Sequence, residues 1–290
     1  MAAAALRLSL PLAHAPRAAQ ADLSHVFCSD AAATAIKSYS PELIVHGCLQ
    51  EQQPEPEERE AQVEAVCKWF PALTALVVGP GLGRDETLQA VAERIIERAI
   101  AEDLPVVIDA DGLAIVTRRP ALVRGSRWTV LTPNRPEYGR LSQAVMPQAA
   151  AAAPGTPGEA EHLAQLCDAL GGPTVVRKGA ADLISDGGCW LAMEEAGSRK
   201  RSGGQGDVLA GSIATLLSWA KPLAGSDCGG APAGFLPEGS APLPMLAAYT
   251  GCQLTRRFSA AAFARHRRAM TAPDLIEAIG PVFEEFSPAD

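Results

Sequence analysis

The sequence predicts an α/β fold: a mostly parallel central sheet with helices on both faces. Two observations carry this. Short apolar runs ending in Gly, Pro, Asn or Asp alternate with longer segments whose apolar residues recur at helical spacing, and the chemically interesting residues follow the apolar runs directly. The runs "ELIVHG", "TALVVGPG", "LPVVIDADG", "WTVLTPN" and "PTVVRKG" are short and rich in β-branched residues, as buried strands are. Between them Glu57–Phe70, Asp85–Glu102 and Glu159–Leu170 read as helices, with Asp85 placed as an N-cap. This alternation implies right-handed crossovers and a sheet covered on both faces. After Lys178 the rhythm changes. "DLISDGGCWLAM" reads as a hairpin turning at Asp186–Gly188, followed by helices over Gly206–Trp219, Met245–Phe263 and Asp274–Phe286. Met146–Gly158 and Lys221–Pro244 read as solvent loops within one domain.

The 290 residues suit a single large domain, and 48% hydrophobic against 20% charged residues promises a packed core. A net charge of −8 speaks against a nucleic-acid partner or an anionic membrane surface. No apolar run reaches membrane-spanning length. The seven cysteines are odd in number, scattered, and lack a C-x-x-C pair, so they read as thiols in a reducing compartment. The first 20 residues form an Ala-rich segment with Arg7 and Arg17 and no acid, which reads either as transit-like or as an alternative start; the domain proper is expected over 21–290.

Ligands of such sheets bind outside the carboxyl ends of the strands, where Gly79–Gly83, Asp109–Gly112, Asn134–Glu137 and Lys178–Asp182 fall. "VVGPGLGRDE" fails the G-x-G-x-x-G spacing and reads as a tight turn touching a ligand. Asp109 and Asp111 could hold Mg²⁺ indirectly, or Asp111 caps the next helix. Asn134 and Glu137 form N-x-x-E, a pair able to orient waters of Mg²⁺, although asparagine after proline is also ordinary turn chemistry. In "GSRKRSGGQGD" the cations Arg199, Lys200 and Arg201 lead into Gly203, Gly204 and Gly206 at a helix start, where free N–H groups can cradle phosphate. Asp207 is then placed to accept the proton of an attacking hydroxyl. "RRFSAAAFARHRR" reads as a solvated helix face. No H-E-x-x-H, G-x-S-x-G or Walker A sequence is present.

"GGQGD" opening a late helix, with N-x-x-E after a strand, resembles the ribokinase-like superfamily. More closely, "VVGPGLGRDE", "PVVIDADGL", "LTPNRPEYGRL", "VVRKGAADLISDG" and "GGQGDVLAGS" resemble the ATP-dependent (S)-NAD(P)H-hydrate dehydratases of eukaryotic type. The resemblance implies that ATP phosphorylates the hydrate's hydroxyl and that phosphate then leaves, restoring NADH or NADPH. It implies hydrate contacts at Gly81, Asn134, Arg135, Pro136, Glu137, Tyr138, Gly139, Arg140 and Asp207, with Asp207 as base. ATP would be surrounded by Lys178, Gly179, Ala180, Ala181 and Asp182, together with Gly197, Ser198, Arg199, Lys200, Arg201, Ser202, Gly203, Gly204, Gln205 and Gly206. Glu137 would organise Mg²⁺ through water. One departure stands out: "ADLSHVFC" is preceded by only twenty residues, so the chain is expected to lack the family's first strand and its glycines. Two competitors follow, a small-alcohol kinase sharing the Gly–Asp turn and an inactive shortened form. The resemblance leaves a homo-oligomer open and points to cytoplasm or mitochondrion.

Overall fold

A computed structural model describes residues 2–6, 23–50, 55–149, 156, 158–224 and 241–286. Nine strands form one sheet: β1 (Ala2–Leu6), β2 (Leu23–Ser29), β3 (Ile44–Leu49), β4 (Ala75–Val78), β5 (Val106–Ile108), β6 (Thr129–Leu131), β7 (Thr174–Arg177), β8 (Asp182–Ser185) and β9 (Trp190–Met193). Their order is β3-β2-β1-β4-β5-β6-β7-β8-β9. All neighbours from β3 to β7 are parallel, and the hairpin β8–β9 adds two antiparallel strands. Helices α1 (Asp30–Lys37), α2 (Pro56–Cys67), α3 (Glu86–Ala101), α4 (Asp111–Arg118), α5 (Arg135–Val145) and α6 (Gly158–Leu170) precede the hairpin; α7 (Gln205–Ala224), α8 (Leu243–His266) and α9 (Ala272–Phe286) follow it.

Strands β4 to β7 are buried along their whole length because both faces of the sheet are covered there. In β4, Leu76 and Val78 join the core under α2, α3, α4 and α6, while Ala75 and Val77 meet Leu209, Ile213 and Leu217 of α7 and Met245 and Ala248 of α8. Helix α3 shows how a sequence signal becomes stability. Asp85 accepts the Leu88 N–H at 2.9 Å, and Leu88, Val91, Ile95 and Ile96 then point inward, each burial contributing about 1.5–3 kcal/mol. Gly251 of α8 lets that helix lie on α7, since a Cβ there would sit 2.6 Å from Ile213 Cγ1. Among the described residues no helix is long and apolar enough to cross a membrane.

The structure departs from the sequence expectations in three places. The place of the missing first strand is filled: Ala2–Leu6 pairs in parallel with β2 on one side and β4 on the other. Alanines are weak strand formers, but two parallel neighbours offer hydrogen-bond partners on both edges. The Ala-rich segment read over residues 1–20 as separate from the domain thus contributes Ala2–Leu6 to its sheet, and residues 7–20 of it lie outside the described residues. Second, the helix expected to end at Trp219 continues to Ala224 through Pro222, so the expected loop from Lys221 begins as helix; 225–240 lie outside the described residues. Met146–Ala149 makes a turn as expected, and most of the remaining segment to Gly158 is also outside. Third, α1, α4 and α5 were not anticipated as full helices.

Candidate active site

Four neighbouring strands, β4 to β7, end at one edge of the sheet, and the loops that leave them are tied together by backbone hydrogen bonds. Asp109 N–H donates to the Val78 carbonyl (3.0 Å), Thr132 N–H to Ile108 (3.1 Å) and Lys178 N–H to Pro133 (2.9 Å). Gly79, at φ 120°, brings the first two loops into contact: a Cβ there would lie 1.9 Å from the Asp109 carbonyl oxygen. Between the two acids Ala110 holds φ 49°, ψ −122°, a strained conformation for a residue with a side chain. The twist aims the acids apart. Asp109 meets Lys178 Nζ at 2.7 Å, and Asp111 accepts the Gly83 N–H at 2.9 Å. Asp111 therefore braces the glycine turn, and α4 starts at Ala110 without a side-chain cap.

Helix α7 opens against this edge. Gly204 adopts φ 85°, which L side chains rarely tolerate. Gly203 and Gly206 have no such reason to be glycine. A Cβ on Gly203 would meet nothing within 4 Å, and one on Gly206 would touch only Asp109 Oδ2 at 3.5 Å and Lys178 Nζ at 3.6 Å, both ordinary contacts. Protein packing does not demand these two glycines. The α7 ladder begins with Val208 N–H on the Gly204 carbonyl (3.1 Å), so the preceding amides have no helical acceptor. Asp207 stands in the first turn, half-buried. Its carboxyl is pushed up to about 6, first by burial and then by the neighbouring Asp109 charge, against the opposing pull of Lys178. A carboxylate so tuned can accept a proton near neutral pH.

The basic loop leading into the turn is anchored on α8 and beyond. Gly197 passes so close to α8 that a Cβ would lie 2.9 Å from Ser259 Oγ, which accepts the Ser198 N–H at 3.1 Å. Lys200 donates to the Met270 carbonyl, and Gln205 reaches the Lys200 carbonyl and Ser202 Oγ. Arg199 and Arg201 are exposed. Arg199 and Lys200 line a cavity of about 830 Å³ with Phe263, Arg267 and Arg268. The stretch expected as a solvated helix face is thus only partly so. Arg256 is half-buried against Asp182, with Nε and Nη2 both 2.8 Å from Oδ2, and its Nη2 also reaches the Gly179 carbonyl (3.2 Å). Asp182 spends its other oxygen on the Gly179 N–H (2.8 Å). Its carboxylate fixes the Lys178 loop, of which Ala180 is exposed and Ala181 half-buried.

N-x-x-E forms a reciprocal capping box at the start of α5: Asn134 Oδ1 takes the Glu137 N–H (3.0 Å), and Glu137 Oε2 takes the Asn134 N–H (2.8 Å). Arg135, Pro136, Gly139 and Arg140 are exposed around it, as is Gly81 at the neighbouring turn. Tyr138 faces inward, its hydroxyl 2.7 Å from His162 Nδ1 of α6.

A family model described as NAD(P)H-hydrate dehydratase matches residues 9–281. The chain belongs to the NAD(P)H-hydrate dehydratase family. It is 46% identical over 268 residues to the ATP-dependent (S)-NAD(P)H-hydrate dehydratase of Bos taurus, covering 91% of this chain and 73% of that one. In fold it is similar to a ribokinase-like superfamily protein of Enterococcus faecalis (TM-score 0.68, 18% identity, 99% of this chain and 88% of that one). The ADP/ATP-dependent NAD(P)H-hydrate dehydratase of Bacillus subtilis, co-crystallised with ATP and Mg²⁺, is also similar (TM-score 0.62, 18% identity, 99% and 92%). Within this dehydratase fold, spacing along the sequence missed Asp109 as the partner of Lys178, and Arg256, Phe263, Arg267 and Arg268. The first was reachable from strand order alone, since β5 and β7 flank β6 and their end loops face each other across one strand.

Proposed function

We propose that this chain repairs the S hydrates of NADH and NADPH, using ATP and Mg²⁺ and releasing ADP and phosphate. The observation that carries the reading is the glycine turn beside Asp207, whose backbone is open for reasons packing does not supply. ATP lays its transferred phosphoryl on the amides before α7, flanked by Lys178 and the basic loop. The hydrate lies toward Gly81 and the exposed face of Asn134–Arg140. Its hydroxyl attacks phosphorus in line while Asp207 accepts the proton, and ADP departs. The proton moves late in a loose transition state, so a carboxyl near 6 is basic enough. In the second half the ring nitrogen's electron pair expels phosphate from carbon, and loss of a ring proton restores the dihydronicotinamide double bond.

The donors near the cleft are hard oxygens, which suits Mg²⁺. Glu137 commits Oε2 to its cap, and among the described residues Oε1 has no partner, so that oxygen is available to a water of the ion. Mg²⁺ bound with ATP would neutralise charge on the transferring phosphates. The reaction suits cytoplasm or mitochondrion, where the coenzymes and ATP occur together.

The test is to incubate the purified chain with ATP, Mg²⁺ and hydrated NADH, following dihydronicotinamide absorbance and ADP together. Recovery of absorbance in step with ADP supports the reading. A phosphorylated product without recovered absorbance indicates the small-alcohol kinase, and ATP binding without turnover indicates an inactive form.

A further inference from the structure

Asp109 is an unusual neighbour for a phosphate cradle. It is 2% exposed at the end of a central strand, and one of its oxygens lies 3.5 Å from where a Gly206 Cβ would be. A buried carboxylate facing an incoming polyphosphate would repel it and would be costly in its own right. The structure answers with one cation. Lys178 arrives from β7, 69 residues away in sequence, and places Nζ 2.7 Å from Asp109 Oδ1. The same ammonium sits 3.6 Å from the same point over Gly206. Ala110 is strained at the position that holds Asp109 in this direction.

We propose that Asp109 is a positioning residue: its carboxylate fixes the Lys178 ammonium against the glycine turn, and Lys178 in return screens Asp109 from the nucleotide's phosphates. The two residues thus meet ATP as a unit. This rests on the ATP-dependent reading above. A lysine acting only as a phosphate contact and an aspartate acting only as a strand-end brace would instead contribute independently. The unit makes an asymmetric prediction. Removing Lys178 alone leaves a bare buried carboxylate facing the ligand, so removing Asp109 as well should restore affinity.

The experiment is a double-mutant cycle on the full chain, reading ATP–Mg²⁺ affinity by calorimetry and KM for ATP in the repair assay. Lys178→Met is expected to weaken ATP binding about 100-fold, Asp109→Asn about fivefold, and the double variant only about tenfold. A double variant as weak as the product of the two single losses overturns the proposal. Should Asp109→Asn fail to fold, Lys178→Arg and Lys178→Gln carry the test. Lys178→Arg, which keeps a charge for the same oxygen, should stay within about threefold of wild type while Lys178→Gln falls as Lys178→Met does; equal losses contradict the pairing. Affinity separates this proposal from the functional one. A chain with the non-additive ATP pattern and no hydrate repair keeps the pair and loses the dehydratase reading, whereas additive losses in an active chain do the reverse.

Discussion

Two helix starts lie at the same edge of the sheet and use their polar groups in opposite ways. At Asn134–Glu137 each side chain closes onto the other's backbone amide, so the turn is satisfied within itself. At Gly203–Asp207 among the described residues nothing caps the amides, and the carboxylate is left half-buried beside Asp109 and Lys178. The first arrangement is a scaffold with one spare oxygen. The second leaves its amides and its carboxylate without such local closure. Open polar groups, more than motif letters, mark where chemistry can occur.

Substitutions at the two turns should therefore fail differently. The largest effect is expected at the open turn: Asp207→Asn should lower turnover about 10³-fold. The same change should raise stability. Folding lifts this carboxyl from 3.8 to about 6, so the folded chain holds the proton more tightly; that contribution is full below about pH 4 and is lost as pH rises through about 6. Asp207→Asn, unable to ionise, should melt higher than wild type at pH 8 and match it near pH 4, which calorimetry at the two pH values checks. For the same reason wild-type kcat/KM should fall as pH drops through about 6.

Next in size, Gly206→Ala should weaken ATP binding about tenfold while leaving stability unchanged or raised, because alanine favours a helix by up to about 1 kcal/mol and the methyl meets only ordinary contacts. Equal ATP affinity would mean the ligand does not approach there. At the closed turn the order reverses. Asn134→Ala should cost about 1 kcal/mol in denaturant unfolding through the lost cap. Glu137→Gln keeps a capping side chain, so stability should hold within about 0.5 kcal/mol while the Mg²⁺ concentration needed for half-maximal rate rises a few-fold.

Much of this was legible beforehand. The buried strands and the helices α3, α6 and α9 announce themselves by period, and Asp85 by its capping position. Strand β1 did not, because "AAAAL" carries no strand propensity and is held by its neighbours on both sides. The open turn was visible as an excess of glycine. What remained hidden was pairing at long range. Asp109 with Lys178, and Arg256 with Asp182 at 74 residues' separation, exist only once the strand order and the α8 packing are known. Asp111 braces Gly83, 28 residues away, in place of capping the next helix, whereas the N-x-x-E pair closes as a local capping box with Glu137 Oε1 left over.

The most direct test of Asp207 as the proton acceptor at a phosphoryl cradle is to measure ATP–Mg²⁺ affinity and hydrate turnover on the same preparation of Asp207→Asn. Affinity within about threefold of wild type with turnover lowered about 10³-fold is the expected result, since in the proposed mechanism the amides bind the nucleotide and the carboxylate serves the step that follows. Turnover close to wild type, or losses of affinity and turnover of equal size, would contradict it.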